Sequence, residues 1–332
     1  VATLYIHAGG FKTGSSSIQS TLARLAPERR PHLIKLGPSP NSTFEVRAAY
    51  LGDPRRLNLS PEQAREARRK VEAAFAECSD RDAILSAEGI ENLNAREFAR
   101  LIAAVQHSEI RITVYQREPY GHQSSLTQQN IKQAGNVRLA RLRVRYKEAA
   151  QKFEPFGGEI VAFDRSKLKN GCVVQDFAAR VGITLRPEEI KNTNERLSLW
   201  ATGLLFARNR WRRRETLPHL VINPLVRELR SVGGPKFAIH PDVIDQRIAK
   251  NRAQLDWAVE RFGPSFVVRP DPGKHDVQTD EDLLTFPEEV HDWIASRDKT
   301  YRKTDDPYVV GAAVDRIGAA LLAAGKQNAA AA

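Results

Sequence analysis

Lys12 stands inside a turn rich in small residues, "AGGFKTGSSSIQ", with Gly9 and Gly10 before it, Gly14 after it, and Ser15, Ser16 and Ser17 following. The alternating run "TLYIH" leads in, and the helical spacing of Ile18, Leu22 and Leu25 leads out. A strand that turns through glycines into a helix presents backbone N–H groups and the positive end of the helix dipole, so a phosphate is its natural occupant. In the common nucleoside triphosphatase loop, G-x-x-x-x-G-K-[ST], the lysine follows the last glycine and reaches the β and γ phosphates. Here Lys12 precedes Gly14, and Ser15 holds the position where that lysine would be. The reversal moves the ammonium toward the phosphate nearest the sugar and its departing group. It suits a nucleotide whose single 5' phosphate carries a transferable group.

A second anion site is expected in "ITVYQREPYGHQSSLTQQNIK". Arg117 follows a strand at its carboxyl end, where open parallel sheets place ligands, and Ser125 lies eight residues later on the next helix. An arginine fork and a hydroxyl can clasp a separate phosphate. Glu88, just past the strand in "DAILSAEG", would emerge on the same side of the sheet and is the first choice for a general base. His7, in the strand before the glycine turn, reads more readily as a hydrogen-bonded core histidine than as a base, and His122, after Arg117, is a further rival. No Asp-ended strand offers itself to magnesium, and no metal is expected.

The elements that must carry these residues alternate through the first half of the chain: "TLYIH", a helix after Gly14, "DAILS", a helix from Asn94, "EIRITVY", a helix from about Pro119, then "GEIVAF". That order predicts an α/β fold with a parallel sheet covered by helices. Ser60 with Gln63 and Asn94 with Glu97 form capping-box patterns, and Gly182 is placed to end a helix. After about residue 190 the β signal fades into amphipathic runs near 196–213, 223–231 and 241–262, with a long loop over 264–288. We therefore expect a core over 1–190 and a mostly helical region over 191–332 that covers an acceptor site and ends in a frayed, alanine-rich tail.

Hydrophobic residues at 41% and charged residues at 27% of 332 are ordinary for a globular protein. The formal charge of +11, from 51 basic and 40 acidic side chains, favours anionic partners such as nucleotides, acidic glycans or lipid headgroups. Residues 208–214 concentrate five arginines, either a solvated helix face or an attractor of anions. No helix-turn-helix, zinc-finger or RNA-binding strand motif points to nucleic acid. Cys78 and Cys172 are far apart and fit neither a disulfide framework nor a zinc site. No secretion signal or membrane span is read, and a cytoplasmic location is the expectation. Oligomeric state has no sequence signal.

Taken together, "YIHAGGFKTGSSSIQ", "ILSAEG", "VYQREPYGHQSSLTQQNIK", "IVAFDRSKLKNGCVVQDFAARVGI" and "NTNERLS" resemble the bacterial sulfotransferases that use 3'-phosphoadenosine 5'-phosphosulfate (PAPS). Their H-x-G-x-x-K-T-G-[TS]-[TS]-S-[IL]-Q opening is matched by His7, Gly9, Lys12, Thr13, Gly14, Ser15, Ser16, Ser17, Ile18 and Gln19. The resemblance covers about residues 1–200. Phe11 takes a place often filled by His or Pro, and Arg196 stands where N-x-S-L-S has a serine, between Asn194 and Ser198.

The resemblance implies a P-loop NTPase-like three-layer sandwich. It implies that Gly9, Lys12, Thr13, Gly14, Ser15 and Ser16 hold the 5' phosphosulfate, with Lys12 on the bridging oxygen, and that Arg117 and Ser125 hold the 3' phosphate. Lys12 and Glu88 are then the catalytic pair, and the products are 3',5'-adenosine bisphosphate (PAP) and a sulfated glycan, lipid-linked or small-molecule acceptor. Two other readings stand beside it: a nucleotide kinase-like P-loop enzyme, and a non-catalytic module that binds polyanions or nucleotides.

Overall fold

The computed structural model describes residues 1–133, 144–192, 196–218 and 220–330. Five strands, β1 (Thr3–His7), β2 (His32–Leu33), β3 (Ala83–Ser86), β4 (Glu109–Gln116) and β5 (Gly158–Ala162), form one sheet in the order β2-β3-β1-β4-β5. Every pairing is parallel. The helices are, in chain order, α1 (Ser15–Arg24), α2 (Thr43–Tyr50), α3 (Pro61–Glu77), α4 (Ala95–Ala103), α5 (Pro119–Lys132), α6 (Tyr146–Phe153) and α7 (Val173–Arg180). They continue with α8 (Leu199–Arg214), α9 (Asn223–Glu228), α10 (Pro241–Ile248), α11 (Arg252–Phe262), α12 (Glu288–Arg297) and α13 (Pro307–Ala330).

The chain divides into two compact units. The first comprises 1–118, 144–194 and 252–268, and the second 119–143, 195–251 and 269–332. A single cut near residue 190 does not describe this division, because α5 belongs to the second unit and α11 to the first.

In the first unit the sheet is the α/β parallel sheet flanked by helices that the alternation predicts. Tyr115 and Val161 join Ile18, Leu22, Val173 and Phe177 in one apolar cluster, so α1 and α7 cover one face. Leu4, Ile6, Leu85, Ile112 and Val114, at alternate positions, are buried on the opposite face. Both capping boxes form. The Ser60 hydroxyl accepts the Gln63 N–H (3.2 Å) while the Gln63 side chain accepts that of Ser60 (2.7 Å). Asn94 and Glu97 exchange the same pair of bonds. Strand β2 carried no sequence signal, because two residues are too short for alternation to register.

In the second unit α13 packs along α8. A Cβ on Gly311 would lie 2.5 Å from the Ala207 carbonyl oxygen, so the two helices approach backbone to backbone there. Among the described residues α13 is the one helix long and apolar enough, over 307–325, to cross a membrane by length and composition. Its Val310, Ala313 and Val314 are buried, Asp315 pairs with Arg208 (2.8 Å) and Arg212 (2.9 Å), and Arg316 pairs with Asp298 (2.7 Å). The amphipathic run expected over 241–262 is two helices. A 3-10 turn at Ala249–Asn251 separates them, and there the Asn251 side chain donates to the Arg247 carbonyl.

Candidate functional site

Strand order decides where a ligand can sit. From β1 the chain runs to β2 and β3 on one side and then crosses to β4 and β5 on the other, so β1 lies at the point where the order reverses. Ligands of open parallel sheets bind outside the carboxyl ends of the strands at such a point. His7 and Ser86 end β1 and β3 and are register partners, and His7 pairs on its other side with Thr113, three residues before the end of β4. The segments that follow these strands carry Lys12, Glu88 and Arg117.

The glycine turn is held tightly by its own atoms. Gly9 has φ 36° and Gly14 φ 87°, values that a side chain resists. Gly10 is constrained differently, since a Cβ there would sit 2.1 Å from the Tyr115 carbonyl oxygen. Thr13 is fully buried and donates its hydroxyl to the Gly10 carbonyl (2.5 Å), so its side chain closes the turn and is not directed at a phosphate. Gly14 caps α1 with left-handed backbone, and Ser15 and Ser16 occupy the first turn, whose N–H groups have no acceptor within the helix. Among the described residues no protein acceptor faces the N–H groups of Thr13, Gly14, Ser15 or Ser16.

Lys12 is a non-glycine residue with φ 64°. Its carbonyl oxygen accepts a hydrogen bond from Arg117 Nη1 (3.2 Å). Arg117 is mostly buried, with its Nε 3.6 Å from the Glu118 carboxylate and its guanidinium 5.8 Å from the centre of the Phe163 ring. Glu88 opens the 3-10 turn Glu88–Asn92, directly after β3. A Cβ on Gly9 would meet Ser15 Oγ at 2.8 Å, His7 Cε1 at 3.3 Å and Glu88 Cγ at 3.4 Å, which places these three side chains around one point of the loop. Burial pushes the Glu88 carboxyl above its ordinary range, opposed by the nearby Ser15 hydroxyl and the Lys12 charge. Ser15 Oγ is buried beside that carboxyl yet meets the geometry of a hydrogen bond with no protein group.

The histidine rivals separate. His7 is fully buried, its Nδ1 lies 2.8 Å from Ser86 Oγ, and burial lowers its pKa to about 4. Ser86 Oγ also accepts from Gln19 (3.1 Å), so His7 belongs to a polar knot beneath the loop, as its place in the strand predicts. His122 and Ser125 are half-buried on α5 in the second unit. Asn194 lies outside the described residues. Ser198 accepts the Ala201 N–H (3.1 Å), which makes it the cap of α8.

The arginine run over 208–214 is partly structural. Arg208 is 2% exposed and binds Asp315 and the Leu220 carbonyl, and Arg212 binds the same carboxylate. Those two guanidinium groups are therefore committed within the unit and leave the face that the sequence presents as anion-attracting. Sequence reasoning missed Glu91 and Lys152. The Glu91 carboxylate accepts the Phe11 N–H (3.2 Å), and Lys152 is buried against the turn that Glu88 opens. Neither residue belongs to a motif, and only the packing of α6 could reveal them.

Comparison of the chain with protein-family models, with curated proteins and with solved structures finds no match.

Proposed function

We propose that this protein is a sulfotransferase of P-loop-like fold that uses PAPS. The observation that carries the reading is the convergence of Lys12, Glu88 and Arg117, from three adjacent strand ends, on one glycine turn. The donor set fits the proposed co-substrate. Among the described residues the N–H groups of Thr13, Gly14, Ser15 and Ser16 meet no protein acceptor, and the buried Ser15 hydroxyl lies beside the Glu88 carboxyl. The position of Lys12 before Gly14 is the sequence feature that separates this reading from a kinase-like loop.

When bound, PAPS would supply an activated sulfuryl group on a bisphosphate leaving group. The turn would hold the 5' phosphate through the N–H groups of Thr13, Gly14, Ser15 and Ser16 and the Ser15 hydroxyl, with Gly9 and Gly10 letting the turn pack closely on its own side chains and on β4. The Lys12 ammonium would balance charge gathering on the leaving oxygen. Glu88 would take the proton from a hydroxyl or amine acceptor, and its raised pKa brings it nearer the range in which a base works at neutral pH. Arg117 would hold the 3' phosphate, and it also engages the Lys12 carbonyl. The acceptor is proposed at the level of a hydroxyl or amine of a glycan, lipid-linked or small molecule.

Thermal stabilisation by PAP, ATP with magnesium, and 5'-AMP tests the reading. The expected result is a clear preference for PAP that is lost in Arg117→Ala, with Lys12→Ala measured beside it. An equal or larger response to ATP with magnesium overturns it. Glu88→Gln is expected to keep PAP binding and lose turnover of PAPS, and retained turnover removes Glu88 from the role of base.

A further inference from the structure

Two buried side chains of α6 reach segments that follow two different strands. Tyr146 donates its hydroxyl to the carbonyl oxygen of Arg117 (2.8 Å), beyond β4. Six residues later Lys152 places its ammonium among the carbonyl oxygens of Ile90 (3.4 Å), Glu91 (2.7 Å) and Leu93 (2.9 Å), beyond β3. An ammonium has three donors and no acceptor, so this cluster of carbonyls matches all that Lys152 can give. These carbonyls close the short 3-10 turn that Glu88 opens, where a cation also meets the negative end of the turn's dipole. Lys152 is 8% exposed, and a lysine is rarely taken from water without fixed partners.

Glu91 extends the contact to the glycine turn. Its backbone carbonyl accepts from Lys152, and its carboxylate accepts the N–H of Phe11, the neighbour of Lys12. Burial lowers the Lys152 pKa to about 8 while the Glu91 charge opposes that change, and burial raises Glu91 while the Lys152 charge opposes it. The two groups therefore feel each other as well as the backbone.

We propose that Lys152 and Glu91 are positioning residues: Lys152 sets the turn that bears Glu88, and Glu91 ties that turn to Phe11, so that Glu88 and Lys12 keep their relative places. The role of these residues in catalysis rests on the reading of the loop given above. The brace itself is a property of the fold. It acts through Glu88 and Lys12, and α6 serves the Arg117 segment as well through Tyr146. Without such a tie, two segments that leave separate strands have no covalent reason to move together.

Amide hydrogen exchange on the full chain tests the proposal, with wild type, Lys152→Met and Glu91→Gln compared with and without PAP. Without nucleotide, Lys152→Met is expected to speed exchange at the Phe11 amide at least tenfold, although Lys152 and Phe11 share no hydrogen bond. With PAP, wild type is expected to gain protection in the glycine turn and in residues 89–93 together. Glu91→Gln is expected to confine that gain to the glycine turn. If Phe11 exchange is unchanged in Lys152→Met and the 89–93 segment is still protected in Glu91→Gln, the brace is overturned. Should PAP protect nothing in wild type, the nucleotide reading fails, and Phe11 exchange in the two ligand-free variants still decides the brace. Glu91→Gln preserves shape and removes only charge, so it decides alone if Lys152→Met does not fold.

Discussion

Arg117 donates an N–H to the carbonyl oxygen of Lys12 across 3.2 Å, joining the segments that follow β4 and β1. Lys12 holds its backbone at φ 64°, a conformation that costs a non-glycine residue about 1–2 kcal/mol. The arginine is one of the contacts that meet this cost, so it acts on the loop as well as on any anion at its own fork. Arg117→Ala is thus expected to weaken 5'-AMP as well as PAP. The loss should be roughly tenfold or more for PAP, as for other hydrogen bonds to charged groups, and smaller but measurable for 5'-AMP. Calorimetric titration checks this, and an unchanged 5'-AMP affinity would confine Arg117 to the distal phosphate.

Gly10→Ala tests the closeness of the loop to β4. The added methyl would meet a backbone oxygen at 2.1 Å, which cannot rotate away. The expected cost is about 1–3 kcal/mol, as for overpacking elsewhere, together with loss of PAP binding. Gly182→Ala is the comparison: φ is 74° but nothing lies within 4 Å of the new atom, so only the backbone cost of about 1–2 kcal/mol should appear and PAP binding should persist. Urea unfolding and PAP titration of both variants separate the two effects.

His7 predicts an acid limb of stability. Its folded pKa, about 4, lies below the ordinary 6.5, so between these values the unfolded chain binds the proton more readily than the folded one. Stability should fall as pH drops from about 6.5 to about 4, with roughly 3 kcal/mol assigned to this group. Unfolding of wild type and His7→Gln at several pH values checks it, the difference between the two curves narrowing toward pH 4. Parallel curves would show that His7 does not titrate in this window.

Lys152 predicts a limb of the same slope at alkaline pH. Burial lowers its folded pKa to about 8 from 10.5, so the unfolded chain again binds more protons between these values. The contribution of this group to stability should rise with pH from about 8 to about 10.5 and should be absent from Lys152→Met. The same denaturation series extended to pH 10.5 measures it, and a flat difference curve would refute it.

Asp315 serves both Arg208 and Arg212. Asp315→Asn leaves Arg208 buried without its countercharge and is expected to cost about 3–5 kcal/mol. Combining Arg208→Met and Arg212→Met with Asp315→Leu should recover most of that loss, because a buried ionic cluster replaced whole by apolar groups is often close to neutral. Denaturant midpoints of the single and triple variants test this, and a triple variant no better than the single one would contradict it.

Local chemistry was legible in the chain wherever neighbours in sequence do the work. The glycine turn, both capping boxes, the alternation of strands and helices and the left-handed end at Gly182 all follow from residues within a few positions of one another, and each is present in the fold. What the sequence could not decide is which strand ends lie side by side. Residues 7, 86 and 113 are register partners only because β1 sits between β3 and β4, an order set by packing over long separations. The same holds for the buried Arg208, whose partner lies 107 positions away, and for Lys152, which binds carbonyls about 60 positions away. Sequence determined which groups could hold an anion or move a proton; tertiary structure decided which of them meet, because burial and hydrogen-bond partners are assigned by contacts that no local pattern encodes.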